Sequence, residues 1–179
     1  MPRGSRTQPE LRRRALHAGI ARTLENQFAE IAETQPELLA RHCTEAGLIE
    51  KAAGLWDKAG QQSMTRSALV EADTQFARAL NQIATLPATP ARRREQIKLQ
   101  VARITPLMHI KGYASPETKS AVERASLLIE QAQAHGEPPE DPLLLFSVLY
   151  SFWAANLLAF NGDLLRELAA KFLTRQSRS

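Results

Sequence analysis

Cysteine is almost absent from this 179-residue chain: Cys43 stands alone, so neither an internal disulfide nor a paired-cysteine metal knuckle is open to it. A reducing cytoplasm is therefore the expected location. Aromatic residues make up only 6%, and they do not interleave with the basic runs as the stacking platforms of single-strand binders do. Phosphate-cradling glycine loops are missing too. Neither Gly-x-x-x-x-Gly-Lys-Ser/Thr nor Gly-x-Gly-x-x-Gly occurs, and there is no Gly-x-Ser-x-Gly elbow to hold a nucleophile. The longest apolar stretch, Leu143 to Phe160, is broken by Ser147, Ser151 and Asn156 and falls short of the ~20 residues that span a bilayer. No apolar run follows Met1-Pro2-Arg3-Gly4, so no secretion signal is expected. Charge of one sign is scarce as well. Lys and Arg total 23 against 19 acidic residues, a net +4 interspersed along most of the chain, which argues against nucleic acid as the partner.

What is present is a foldable composition, 44% hydrophobic and 23% charged, laid out with helical periodicity. Pro and Gly punctuate the chain into about eight segments whose apolar residues recur at three- and four-residue spacing. The first carries Leu16, Ile20, Leu24, Phe28 and Ile31 on one stripe, and the second runs from Pro36 to Gly47. Helices are predicted from Ile49 to Ser67 and from Val70 to Leu86, with a tight connection between them. A fifth starts near Ala91 and should kink or end at Pro106; Lys111 to Ser115 reads as a loop. Ser115 and Pro116 then supply an N-cap and a first helical residue for a sixth helix bearing Val122, Ala125, Leu128 and Ala132. Leu143 to Phe160 predicts a seventh, and Asn161-Gly162-Asp163 turns the chain into an eighth that ends near Arg175.

One stretch decides between a closed bundle and an open stack. Trp56, Ala59, Gly60 and Ser63, followed by Ala72, Phe76 and Ala79, stand in the order and register of a tetratricopeptide repeat, with small residues where backbones approach and aromatic knobs between them. Ala59 and Ser63 replace the usual leucine and tyrosine, and Ala84 holds the terminal proline position. The expected fold is all-α, a tetratricopeptide-like superhelical array of about four antiparallel helix pairs. Residues 1–34 are assigned to an N-terminal helix and junction, 35–175 to the repeats and 176–179 to a frayed tail.

Pro36-Glu37-Leu38-Leu39-Ala40, Glu45-Ala46-Gly47, Lys51-Ala52, Trp56-Asp57-Lys58-Ala59-Gly60, Lys111-Gly112-Tyr113 and Asn161-Gly162-Asp163 carry a more specific likeness. Together they resemble the helical-repeat region of large bacterial proteins that combine a class III adenylate/guanylate cyclase homology domain, a predicted ATPase domain and tetratricopeptide repeats. That resemblance implies a regulatory, noncatalytic role, with an ATPase or cyclase module as the kind of partner. The segment around Leu11 to Phe28 is similar to the junction that leaves the ATPase domain, so a detached regulatory fragment of such a signalling protein is the alternative reading.

Chemistry-bearing residues do not assemble into a catalytic pattern. His42 and Cys43 are neighbours on a helix, about 100° apart, so Cys43 reads as a small core residue and not as a base-assisted nucleophile. His17, His109 and His135 lack metal-ligand spacing, and Glu30 with Glu33 reads as a solvated pair, so no catalytic residue, metal or cofactor is expected. Arg12-Arg13-Arg14 and Arg92-Arg93-Arg94 could meet an acidic partner or nucleic acid, the second alternative, but a solvated surface is the simpler reading. Tyr150 and Trp153 fit either a pocket or an aromatic core. In the repeat register Asp57, Gln61, Met64 and Thr65 face a concave groove and are the candidate partner-binding residues. The apolar N-terminal stripe of Leu16, Ile20 and Leu24 predicts homodimerisation.

Overall fold

A computed structural model of the chain describes residues 8–137 and, beyond them, the helical positions Phe146, Val148, Tyr150, Ser151, Trp153, Leu157, Gly162 and Arg166. Among the described residues every regular element is helical: α1 (Gln8–Gln27), α2 (Ala29–Thr34), α3 (Pro36–Ala46), α4 (Ile49–Thr65), α5 (Leu69–Ile83), α6 (Pro90–Lys111) and α7 (Pro116–Ala134). Contacts group the chain into two units, Met1–Pro87 and Ala88–Ser179.

In the first unit the turns from α3 into α4 and from α4 into α5 are made by left-handed residues at helix C-termini. Pro36 occupies the first turn of α3, and Gly47, at φ 76°, ends it. The Leu48 N–H reaches the Cys43 carbonyl at 2.9 Å and the Gly47 N–H reaches Thr44 at 3.0 Å, so α4 starts at once in the opposite direction. The end of α4 repeats the motif with Ser67 at φ 58°: the Ala68 N–H bonds the Ser63 carbonyl at 2.9 Å. Helix α4 packs on α5 and on α3, and α1 lies against α3. Small side chains make the close approach possible. Ala52, Ala59, Ala72 and Ala79 are buried together with Trp56 and Phe76.

The predicted apolar stripe of the first helix is interrupted. Phe28 leaves helical geometry at φ −133°, ψ 44°, so α1 stops at Gln27 and the short α2 begins. Ala21 is the one residue of α1 that is fully buried, and Leu16 is 63% exposed.

In the second unit Thr89 caps α6, its hydroxyl accepting the Arg92 N–H at 3.3 Å. Pro106 does not end the helix; α6 runs on to Lys111. Ile104 and Leu107, on either side of it, are buried in a core shared with Val122, Ala125 and Ile129 of α7, and that burial offsets the ~3 kcal/mol an internal proline costs. Ser115 caps α7 as predicted, accepting the Thr118 N–H at 3.2 Å. The Thr118 hydroxyl donates to the Gly112 carbonyl at 2.9 Å, which closes the Gly112–Ser115 loop; Lys111, expected in the loop, is the last residue of α6.

The predicted seventh and eighth helices and the tail lie largely outside the described residues. Where positions are described, Gly162 is helical instead of in a turn, since turn propensity is a weak local preference. Tyr150 is 52% exposed and its ring stacks between those of Phe146 and Trp153, so it is not part of an aromatic core. Among the described residues no helix is long and apolar enough to cross a membrane.

Candidate protein-recognition site

Trp56 is buried on α4, yet one edge of it forms the floor of a groove. Its indole N–H donates to the Thr44 hydroxyl at 3.0 Å, and that hydroxyl donates to the Ala40 carbonyl at 2.9 Å, so the ring is fixed to α3. On the α5 side the Arg78 guanidinium lies 4.6 Å from the ring centroid, a cation–π stack that holds the arginine in place.

The groove consists of two adjoining cavities that share Arg41, Trp56 and Arg78. One, about 330 Å³, adds Thr44 and Glu45 of α3 with Asn81 and Gln82 of α5. The other, about 220 Å³, adds Glu37 of α3 with Val70, Glu71 and Thr74 of α5. Helices α3 and α5 thus form the walls, with their N-terminal turns at the same end. Each wall is one face of its helix, with residues recurring at three- and four-residue spacing.

The four residues chosen from the sequence lie on another flank of α4. Gln61 and Thr65 are exposed, whereas Asp57 and Met64 are half-buried. Gln61 Nε2 donates to Asp57 Oδ1 at 3.4 Å, and the Thr65 hydroxyl donates to the Gln62 carbonyl at 2.8 Å. None of the four lines the Trp56 groove. All seven residues of the repeat signature are buried. Ser63, which stands at the tyrosine position, donates its hydroxyl to Gln75 Oε1 at 2.7 Å and so ties α4 to α5 by a hydrogen bond instead of a ring.

Two histidines that look unrelated in the sequence meet. The Nδ1 atoms of His17 on α1 and His42 on α3 are 2.9 Å apart, so one ring donates its N–H to the bare nitrogen of the other. Burial, then the neighbouring His17, then Arg41 hold His42 below its ordinary value of 6.5. Cys43 points into the core, where burial raises its thiol above the ordinary range, the opposite of what a nucleophile needs. Among the described residues no group of three His, Cys, Asp or Glu side chains could hold a metal ion.

Both arginine triplets give part of their charge to internal carboxylates. Arg13 lies 3.7 Å from Glu45, and Arg93 grips Glu137 with two hydrogen bonds of 2.9 and 2.6 Å. Sequence reasoning missed the groove walls at Arg41 and Arg78; the signal that could have found them is the polar face of each helix beside the Trp56 position. No family model, curated protein or solved structure matches the chain.

Proposed function

We propose that this chain is a noncatalytic protein-recognition module, a tetratricopeptide-like array of helix pairs that binds a partner on the preordered surface of α3, α4 and α5. One observation carries the reading. The signature residues Trp56, Ala59, Gly60, Ser63, Ala72, Phe76 and Ala79 are all buried, and Gly60 faces the Phe76 ring directly, the close approach that the repeat register requires. A helical-repeat scaffold of this kind presents its contacts already in place, so little ordering entropy is lost on association. The resemblance in sequence favours an ATPase or cyclase module as partner and a cytoplasmic, regulatory setting; the same likeness supports the alternative of a detached fragment of a cyclase–ATPase signalling protein. Exposure of Leu16, with Ile20 and Leu24 half-buried on the same stripe, favours self-association through α1, which sedimentation at increasing concentration tests.

The experiment is affinity capture from native lysate, with retained proteins identified by mass spectrometry. The wild-type chain is compared with a folded variant in which Asp57, Gln61, Met64 and Thr65 are alanine. A reproducible partner lost only in the variant supports recognition through that flank of α4. Capture of no partner by either protein overturns the reading, and ATP turnover or cyclic-nucleotide synthesis by the purified chain overturns its noncatalytic part.

A further inference from the structure

The walls of the Trp56 groove are charged in zones, and the zones are not matched to one another. Arg41 and Arg78 stand at the waist where the two cavities meet, and neither closes an ion pair among the described residues. Glu45, the carboxylate in the larger cavity, is already approached by Arg13. Glu37 and Glu71 occupy the first turns of α3 and α5, where the helix dipole favours them, and line only the smaller cavity. The groove is lined by three carboxylates and two guanidiniums, and the waist offers Arg41 and Arg78 with no ion pair closed between them and Glu37, Glu45 or Glu71. Arg78 is preorganised by its stack on Trp56, so closing on an anion costs it less side-chain freedom than a free arginine would lose.

We propose that this groove docks an extended segment of a partner protein that seats a carboxylate side chain between Arg41 and Arg78 and a basic side chain toward Glu37 and Glu71. The spacing is set by the wall. Glu37 and Arg41 are one turn apart on α3, about 6 Å, which two residues of extended chain span at about 3.3 Å each. The partner's acidic and basic residues are thus separated by one residue. The indole floor packs against the aliphatic stems between them. This assignment rests on the reading of the chain as a protein-recognition module and gives that module a second contact surface with a defined preference.

The test is an NMR titration of the full ¹⁵N-labelled chain. The probes are the blocked peptide Ala-Glu-Ala-Lys-Ala, its neutral counterpart Ala-Gln-Ala-Gln-Ala, and inorganic phosphate. The chain has two tryptophans, so Trp153→Phe assigns the indole signal of Trp56. The charged peptide is expected to move the Trp56 indole resonance saturably and the neutral peptide to leave it still. The Arg41→Gln/Arg78→Gln variant, with an unchanged amide spectrum elsewhere, is expected to weaken the apparent affinity by about tenfold. Equal shifts with the neutral peptide, an undiminished response in the double variant, or phosphate reproducing the shift at the same concentration would each overturn the proposal, the last in favour of a simple anion site. Should the α4 flank variant lose its captured partner while the groove variant behaves as wild type in both assays, the groove assignment falls and the recognition module stands.

Discussion

Gly60 on α4 and the ring of Phe76 on α5 leave no space between them: a methyl group on Gly60 would stand 2.5 Å from the ring's Cε1 and 2.7 Å from Cδ1. Phe76 is fully buried and has nowhere to swing. Overpacking of this kind costs about 1–3 kcal/mol, against the ~1 kcal/mol alanine gains over glycine inside a helix, so Gly60→Ala is expected to destabilise the chain. Gly54 on the same helix supplies the control, because a Cβ there meets nothing within 4 Å. Gly54→Ala should stabilise by about 0.5–1 kcal/mol. Urea unfolding of the two variants reads opposite signs; the same sign for both would contradict the packing.

Ser67 adopts φ 58° to close the turn from α4 into α5, a conformation that costs a side-chain-bearing residue ~1–2 kcal/mol. Glycine removes that strain but gives back part of it through its freer unfolded state, so Ser67→Gly is expected to raise stability by about 0.5–1 kcal/mol. Ser67→Val, β-branched at the same position, should lower it. Thermal melting of the three proteins orders them Gly, Ser, Val if the strain is real.

How much of this was legible in the sequence follows from which interactions are local. Pro36, Gly47 and Ser115-Pro116 set helix ends through their own backbone and neighbours, and they mark the observed boundaries. The spacing of Trp56, Gly60 and Phe76 likewise announced which faces of α4 and α5 are buried. The break at Phe28 has no such signal: neither Pro nor Gly stands there, and no side-chain cap bond marks the start of α2. Pro106 does not end α6, because the core around Ile104 and Leu107 overrides the local tendency to break. The His17–His42 and Arg93–Glu137 contacts join residues 25 and 44 positions apart, and the Trp56 groove is walled by two helices. Only tertiary packing brings such groups together.

The His17–His42 contact predicts a loss of stability in mild acid. The bond needs one bare Nδ1, and a proton on His42 places a cation beside Arg41 in a partly desolvated site. Since the folded state holds His42 below 6.5, the unfolded chain takes up the proton first. The stabilisation is therefore complete above 6.5 and is lost as the pH falls through the lowered folded value. Urea midpoints measured at about pH 7.5 and about pH 5.5 should fall further for wild type than for His42→Gln. Identical shifts in the two proteins would remove the histidine pair from the account.

Arg93 and Glu137 each sit at the wrong end of a helix. Arg93 places a positive charge in the first turn of α6, and Glu137 a negative one just past the last turn of α7, where its N–H bonds the Ala132 carbonyl at 2.9 Å. Each charge opposes its own helix dipole, and the bidentate contact between them cancels both penalties while tying the start of α6 to the end of α7. The hydrogen bond from Arg93 holds the Glu137 carboxyl below the ordinary 4.5, so this contribution is whole above that value and is lost as the pH falls beneath it. Glu137→Gln at neutral pH should leave Arg93 uncompensated and speed amide exchange in the last turn of α7. Removing both groups should then cost less than the sum of the two single losses, because the double variant also removes the uncompensated charge. Strict additivity in that cycle, or an exchange pattern unchanged in Glu137→Gln, would show that the two charges act independently.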